Sequence, residues 1–198
     1  MAQAHQPTDT DPGARSPETY PHTRRKRLLR LGAPSVAATA LTATVALYMT
    51  LVAFGNITDF GTNQQFVQHV LSMDTTFKDP DLMWRAVESP AFQNTAYVAI
   101  ILWETLAAAV LLTATWLWIR GLRRDAYDRA RAATTVGLVM VLLLFGMGFL
   151  AIGGEWFAMW QSPDWNGLDA AARNVALAAF TLLVVHLPGV RRADTGRT

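Results

Sequence analysis

A glutamate interrupts the apolar stretch AIILWETLAAAVLLTATWLWIRG, which covers residues 99–121. A charged carboxylate that faces hydrocarbon costs at least a few kcal/mol, so Glu104 is expected to point into the protein, pair with a polar group or stay protonated. Counted from Ala91 at 1.5 Å per residue, it lies about 20 Å along its helix, near the middle of a membrane. Two roles stay open, a hydrogen bond that holds two helices together and a functional intramembrane group. The candidate partners are Arg173, Asn174, Thr134 and Thr135.

The segment GGEWFAMWQSPDWNG, residues 153–167, combines an acidic residue with several tryptophans. Trp156, Trp160 and Trp165 fall within ten residues, directly after Glu155. Indole rings are common at membrane interfaces because the ring is apolar and its N–H group binds water or headgroups. An aromatic belt is therefore one interpretation. The other is an outward-facing pocket for a cation or an amphiphile, to which Trp103 also contributes.

No residue pattern in the sequence predicts a reaction. The chain contains no cysteine, which excludes a disulfide framework, a thiolate metal site and a cysteine nucleophile. It also lacks a glycine-rich phosphate loop and an HExxH zinc motif. His69 and His186 are expected on opposite sides of the membrane, too far apart to be the two axial ligands of one haem. We therefore predict no catalytic residue, no metal and no cofactor, although a carboxylate-only acid/base site stays open.

Four apolar runs are predicted to cross a membrane as helices, and they cover residues 33–54, 91–119, 132–153 and 170–187. The last run is short, and its missing length would be made up at the interface or by local thinning of the bilayer. At 1.5 Å per residue the first of them spans roughly 33 Å, the thickness of a bilayer core. Gly55 and Asn56 are expected to end this helix. A cleaved signal peptide is the alternative for the first run, but its basic region starts late and its apolar part is too long.

Lysine and arginine are concentrated in three segments, which predicts how the chain is oriented. Residues 1–32 hold six of them, residues 120–131 hold five and residues 189–198 hold three. Four spans place all three segments on one side, so we predict a multi-pass membrane protein with both termini and loop 120–131 in the cytoplasm. Residues 1–32 are also predicted to be a disordered tail, because they offer little to bury. The more acidic loops, 56–90 and 154–170, then face outward.

The larger outer loop carries two patterns that are typical of short helices. In NQQFVQHVLSM, the apolar residues recur at helical spacing. The same spacing in DPDLMWRAVESP predicts a second helix, with Asp81 as its N-cap. Ser89 and Pro90 are then an N-cap and a first-turn proline, which begin the second span. Near the other end of that span, Trp116 and Trp118 predict an anchor at the inner interface.

The predicted fold is all-α, a four-helix transmembrane bundle with a small extracytoplasmic helical cap. Small residues are expected where helices approach each other, namely Ala107 to Ala109, Gly146, Gly148, Gly153 and Gly154. The function that we favour is a non-catalytic accessory or scaffold component of a membrane complex. Its partners would be the bilayer and other membrane subunits, with no nucleic acid. The alternative is binding or transport of a proton, a cation or a lipid-like amphiphile, with Glu104, Glu155, Trp103, Trp156, Trp160, Arg173 and Asn174 as candidate site residues.

Four strings in the sequence resemble a known bacterial family. They are NITDFGTNQQFVQHVLSMDTTF, MWRAV, ILWE and GGEWFAMWQSPDWNG. In these strings the chain resembles the predicted small integral membrane proteins of domain of unknown function 2165, over about residues 33–188. The resemblance implies a four-span inner-membrane protein in which the outer loop and the Glu–Trp segment form one unit. It implies no reaction and assigns no catalytic residue.

Overall fold

The computed structural model describes residues 33–124 and 126–187, and the part of the chain that it describes contains helices and no strand. The predicted tails, residues 1–32 and 189–198, lie outside these ranges. The helices are α1 (Pro34–Thr58), α2 (Phe60–Ser72), α3 (Pro90–Arg124), α4 (Asp128–Leu142) and α5 (Leu168–Val185). A π-helical segment, Leu143–Trp156, continues α4 without a break, and two short 3₁₀ turns cover Met83–Arg85 and Met159–Gln161.

Four of these helical stretches are long and apolar enough to cross a membrane. They are Pro34–Thr58, Pro90–Arg123, Asp128–Trp156 and Leu168–Val185. The last has 18 residues, about 27 Å at the helical rise, which is close to the thickness of a bilayer core. The prediction of an all-α bundle with four membrane-spanning helices is therefore confirmed.

The first span continues beyond the point where the sequence predicted its end. Gly55 and Asn56 both lie within α1, which ends only at Thr58, so that prediction was wrong. Asn56 has a low intrinsic helix propensity, but both its side chain and its carbonyl group bond to α3. These contacts between helices offset the local preference for a helix end.

The residues between α1 and α3 form a cap on one end of the bundle, and the segment after Trp156 lies beside them. We call residues 59–89 and 157–167 the cap. The pattern NQQFVQHVLSM lies in α2 as predicted except for its last residue, Met73, which follows the helix in a left-handed conformation with a φ of 53°. The Ser89–Pro90 prediction is also confirmed, because α3 begins at Pro90 and the backbone N–H of Phe92 donates to Ser89 Oγ at 3.4 Å.

The second helix predicted in the cap does not form. In its place the chain makes a turn at Asp79, whose side chain accepts a hydrogen bond from the N–H of Asp81 at 3.0 Å. Only the 3₁₀ turn Met83–Arg85 follows, and Ala86 is already extended. The N–H of Val87 then donates to the carbonyl of Leu71 on α2 at 2.8 Å. This contact between segments holds the chain against α2 in place of a further helical turn.

Close packing of small residues holds α3 and α4 together in the middle of the bundle. Ala107 and Ala108 are buried as predicted, next to Leu111 and Leu138, whereas Ala109 from the same prediction is exposed. A further close contact between α3 and α4 was not predicted from the sequence. It is at Gly137, where a Cβ atom would lie 2.6 Å from Leu111 Cγ. A larger residue would force these two helices apart.

The two tryptophans near the end of α3 differ in their surroundings. Trp116 is 52% exposed, and the Arg120 guanidinium lies 4.4 Å from its ring centroid, which suits an interfacial anchor. Trp118 is fully buried, and its Nε1 donates to Thr134 Oγ1 on α4 at 2.8 Å. The prediction of an anchor was therefore wrong for Trp118. It lies inside the bundle because its place on α3 faces α4.

Candidate functional site under the cap

Glu104 is buried between α1 and α3, with 2% of its surface exposed. Its Oε2 accepts a hydrogen bond of 2.6 Å from Asn56 Nδ2 on α1. Within the described residues this is the only hydrogen bond that the carboxylate makes. The hydroxyl of Tyr97, two turns before Glu104 on α3, donates to the carbonyl oxygen of Asn56 at 3.0 Å. Two hydrogen bonds thus connect the last turns of α1 to α3, and one carboxylate oxygen has no bond within the described chain.

The position of Glu104 along the bundle differs from the expected one. Its partner Asn56 lies two residues before the end of α1, so the carboxylate is at the level of the last turn of α1 and not halfway along the bundle. The first turns of α3 pack against the cap, because Gln64 Nε2 of α2 donates to Asn94 Oδ1 at 2.7 Å. The rings of Phe60 and Tyr97 also pack with centroids 4.7 Å apart. Counting from the start of α3 therefore placed Glu104 too deep.

A cavity of about 230 Å³ lies beside the Glu104 carboxylate. It is lined by residues of α1, α2, α3, the π-helical segment and the start of α5. Its polar groups belong to Asn56, Asn63, Tyr97 and Glu104. Its aromatic walls are Phe66, Phe145 and Phe149, and no lysine, arginine or histidine is among its lining residues. The cavity, which we call the Glu104 cavity, thus combines one carboxylate with amide groups and aromatic rings.

An apolar groove of about 330 Å³ adjoins the Glu104 cavity. It lies between α3 and the π-helical segment, because α3 packs closely along α1 and α4 but only sparsely along residues 143–156. The groove contains residues of α3, the π-helical segment and the underside of α2, and all of the lining side chains are apolar. Phe66, Val67, Ile100 and Phe149 line both the groove and the cavity. The two spaces are therefore separated by a wall one side chain thick.

Glu155 and Trp156 lie in a third place, a shallow depression of about 580 Å³ at the edge of the cap. Arg85 lines the same depression, and its guanidinium carbon lies 5.0 Å from the ring centroid of Trp156 and 5.6 Å from that of Trp84. The two indole rings meet edge to face, with centroids 5.5 Å apart. An arginine and a glutamate thus face one surface depression with tryptophans beside them.

The family of predicted small integral membrane proteins DUF2165 has a model that matches residues 35–188, nearly the whole described chain. The chain belongs to this family. No curated protein and no solved structure matches the chain. Family membership and the four apolar helices together show a small, multi-pass integral membrane protein that contacts the lipid bilayer.

The candidate site residues of this DUF2165 chain are distributed over separate places. Glu104 and Glu155 line different spaces, and Trp103 donates from Nε1 to the carbonyl of Met140 on α4 at 3.0 Å. Trp160 packs edge to face against Phe77, 5.9 Å between centroids. Asn174 is buried and Arg173 is exposed on α5, and neither lines the Glu104 cavity. Of the predicted set, only Glu155 and Trp156 line one depression together.

Several residues that shape these places were not singled out from the sequence. Asn56 was interpreted as a helix end, although an amide beside an apolar run could have been matched with Glu104. Tyr97 and Arg85 gave no signal, because neither stands in a recognisable motif. The role of Gly167 depends on the fold alone, since a Cβ atom there would lie 2.9 Å from the ring of Phe66 in the cavity wall.

Proposed function

We propose that the Glu104 cavity binds a small cation, and that an alkylammonium ion is the ligand class that it suits best. The observation that carries this proposal is the Glu104 carboxylate, which lines a cavity and has a single hydrogen bond, to Asn56. A carboxylate that served only to join two helices would be enclosed by them. Here it borders space large enough for a small organic ligand.

The chemistry of the walls supports a cation over an anion or a neutral sugar. A carboxylate attracts positive charge, and the amide oxygens of Asn56 and Asn63 can accept hydrogen bonds from an ammonium group. The faces of Phe66, Phe145 and Phe149 attract cations and the alkyl groups attached to them. No basic side chain lines the cavity to compete for the carboxylate.

We infer from the charges at the two ends of the bundle that the cap faces the outside of the cytoplasmic membrane. The loop at the opposite end carries five arginines, whereas the described cap residues carry Lys78 and Arg85 alone as Lys or Arg. Because the chain has no cysteine, single cysteines report orientation directly. In intact cells, Asp79→Cys is expected to react with a membrane-impermeant maleimide and Arg129→Cys is not. The reverse pattern would invert the assignment.

Glu104→Gln is expected to weaken the response of the protein to alkylammonium ions. For the purified wild-type chain in a mild detergent, n-butylammonium should raise the melting temperature, because a ligand at 100 times its Kd stabilises a folded protein by about 2.7 kcal/mol. Glutamine keeps the size of the side chain and can still bond to Asn56, but it lacks the charge. We therefore expect the apparent affinity to fall about tenfold or more.

The matched control is Glu88→Gln, which removes an exposed carboxylate in the cap and should leave the butylammonium response unchanged. Measurements at constant ionic strength, with sodium in place of butylammonium, separate binding from salt effects. If wild-type protein shows no butylammonium-dependent shift, or if Glu104→Gln keeps it in full, cation binding in this cavity is wrong.

A non-catalytic accessory role in a membrane complex is the second candidate. It is supported by Ala172 and Ala176, one helical turn apart and exposed on α5, which would let a helix of another protein approach closely. The same experiment distinguishes the two. A Glu104→Gln variant that only loses thermal stability, together with a stoichiometric partner retained in mild detergent, would favour the accessory role.

A further inference from the structure

The depression that contains Arg85 and Glu155 lies directly above the apolar groove. Ile152 and Phe157 line both the depression and the groove, so the two are continuous along one side of the bundle. The groove runs between two candidate membrane spans, from Gly148 inside one of them to Phe92 and Val87 at the cap. The depression lies at the Trp156 end of the same span as Gly148, beside exposed tryptophans, where lipid headgroups are expected. We propose that this continuous surface binds one phospholipid whose headgroup carries both a phosphate and a primary ammonium group.

Arg85 has hydrogen-bonding capacity that the described chain does not use. The ion pairs among the described residues join His69 with Asp74 and Asp128 with Arg131, so Arg85 has no carboxylate partner there. Its Nη1 makes one long hydrogen bond, 3.4 Å, to the carbonyl of Trp156, and its buried Nε has no partner. A guanidinium held between two indole rings is a good phosphate ligand, because its position is fixed and it carries several N–H donors in one plane.

Glu155 supplies the opposite charge in the same depression. It is exposed and lies next to Trp156, and no basic residue among the described ones forms an ion pair with it. The phosphate of a lipid would bind Arg85 while a terminal ammonium group reaches Glu155. A headgroup with phosphate and glycerol alone keeps the negative charge of the phosphate near this carboxylate and offers it only neutral hydroxyl groups. The pair therefore favours an aminated, zwitterionic headgroup over an anionic one.

The groove would bind an acyl chain of the same lipid. On one side it is bordered by Phe92 and Ile100 of α3 and on the other by Ile152 and Gly148 of the π-helical segment. Phe92 and Ile152 are both exposed, so the groove is open along the side of the bundle. Gly148 leaves room in the wall, since a Cβ atom there would have its nearest neighbour at 3.9 Å. An acyl chain fills this gap without exposing any polar group to hydrocarbon.

Native mass spectrometry of the full-length chain, released from detergent micelles, tests the proposal. The micelles contain equimolar dioleoyl phosphatidylethanolamine and dioleoyl phosphatidylglycerol. Wild-type protein is expected to retain one phosphatidylethanolamine molecule in preference to phosphatidylglycerol. Arg85→Gln should lower the retention of both lipids about tenfold, as expected for a lost charge-assisted hydrogen bond. Lys78→Gln removes an equal charge from the cap and should retain lipid as the wild type does.

Two further variants test the ammonium and acyl-chain contacts separately. Glu155→Gln should keep the total lipid retained and lose the preference for phosphatidylethanolamine. Gly148→Leu places a side chain in the groove and should lower the retention of both lipids, while the melting-temperature response to butylammonium persists. The proposal is wrong if Arg85→Gln and Lys78→Gln behave alike, or if wild type and Glu155→Gln show the same lipid preference. Should Arg85→Gln fail to fold, normal lipid retention by folded Gly148→Leu would overturn the proposal by itself.

Discussion

Asn56→Leu is expected to lower the free energy of unfolding by about 2 kcal/mol, because it leaves the buried Glu104 carboxylate without its one hydrogen-bond partner. Leucine has nearly the shape of asparagine, so packing against α3 changes little. The cost arises mainly from the polar group that stays behind in an apolar environment. The backbone carbonyl of residue 56 still accepts the hydrogen bond from the Tyr97 hydroxyl, so the end of α1 remains attached to α3.

The double variant Asn56→Leu/Glu104→Leu should be more stable than the sum of the two single changes predicts, by about 1 kcal/mol or more. Removing both partners leaves no unsatisfied polar group at this contact. Unfolding midpoints in mixed micelles of mild detergent and dodecyl sulfate, measured for the wild type, both single variants and the double variant, provide the comparison. Asn63→Leu is the matched control, since Asn63 also lines the cavity but its amide makes only a 3.5 Å bond to the Asp59 carbonyl. Strict additivity would show that the Asn56–Glu104 bond does not contribute to stability.

This contact also illustrates what the sequence could predict and what it could not. The four spans could be predicted because apolar runs of this length are suited to a membrane. The start of α3 at Pro90 could also be predicted, because the first turn of a helix does not use the N–H group that proline lacks. The burial of Glu104 was predicted correctly, because a carboxylate in such an apolar run has to point into the protein. Its partner was not, because Asn56 is 48 positions away along the chain and pairing depends on which faces of α1 and α3 meet.

The depth of Glu104 was predicted incorrectly for a physical reason that applies to other membrane helices. A helix of 35 residues is longer than a bilayer is thick, and the sequence alone does not show which end extends beyond the membrane. In α3 the first turns pack against α2 through Asn94 and Tyr97, so the helix continues into the cap. The sequence grouped Glu104 with Glu155 as candidate site residues, but Glu104 bonds to α1 inside the bundle and Glu155 lines a separate surface depression.

The other end of the bundle provides the largest stability effect that we expect from a single substitution. Trp118 is fully buried and packs in one cluster with Ala38 of α1, Tyr127, Ala130 of α4 and Val185 of α5. Its ring centroid lies 5.4 Å from that of Tyr127. The other three spans therefore each contribute a buried residue to the cluster that contains this side chain.

Trp118→Ala is expected to lower the free energy of unfolding by about 3–5 kcal/mol, the usual cost of deleting a buried large aromatic side chain. The cost in a membrane comes from the cavity left between helices and from the lost bond to Thr134, because lipid tails are as apolar as the protein interior. Trp118→Phe keeps much of the ring but loses the N–H donor. The free energy of unfolding should therefore fall by about 1 kcal/mol, the contribution of the hydrogen bond. Trp116→Ala, at an exposed ring two residues away, should change the midpoint in mixed micelles only slightly. Equal losses for Trp116→Ala and Trp118→Ala would mean that both rings serve as interfacial anchors, and that the burial of Trp118 does not hold the four spans together.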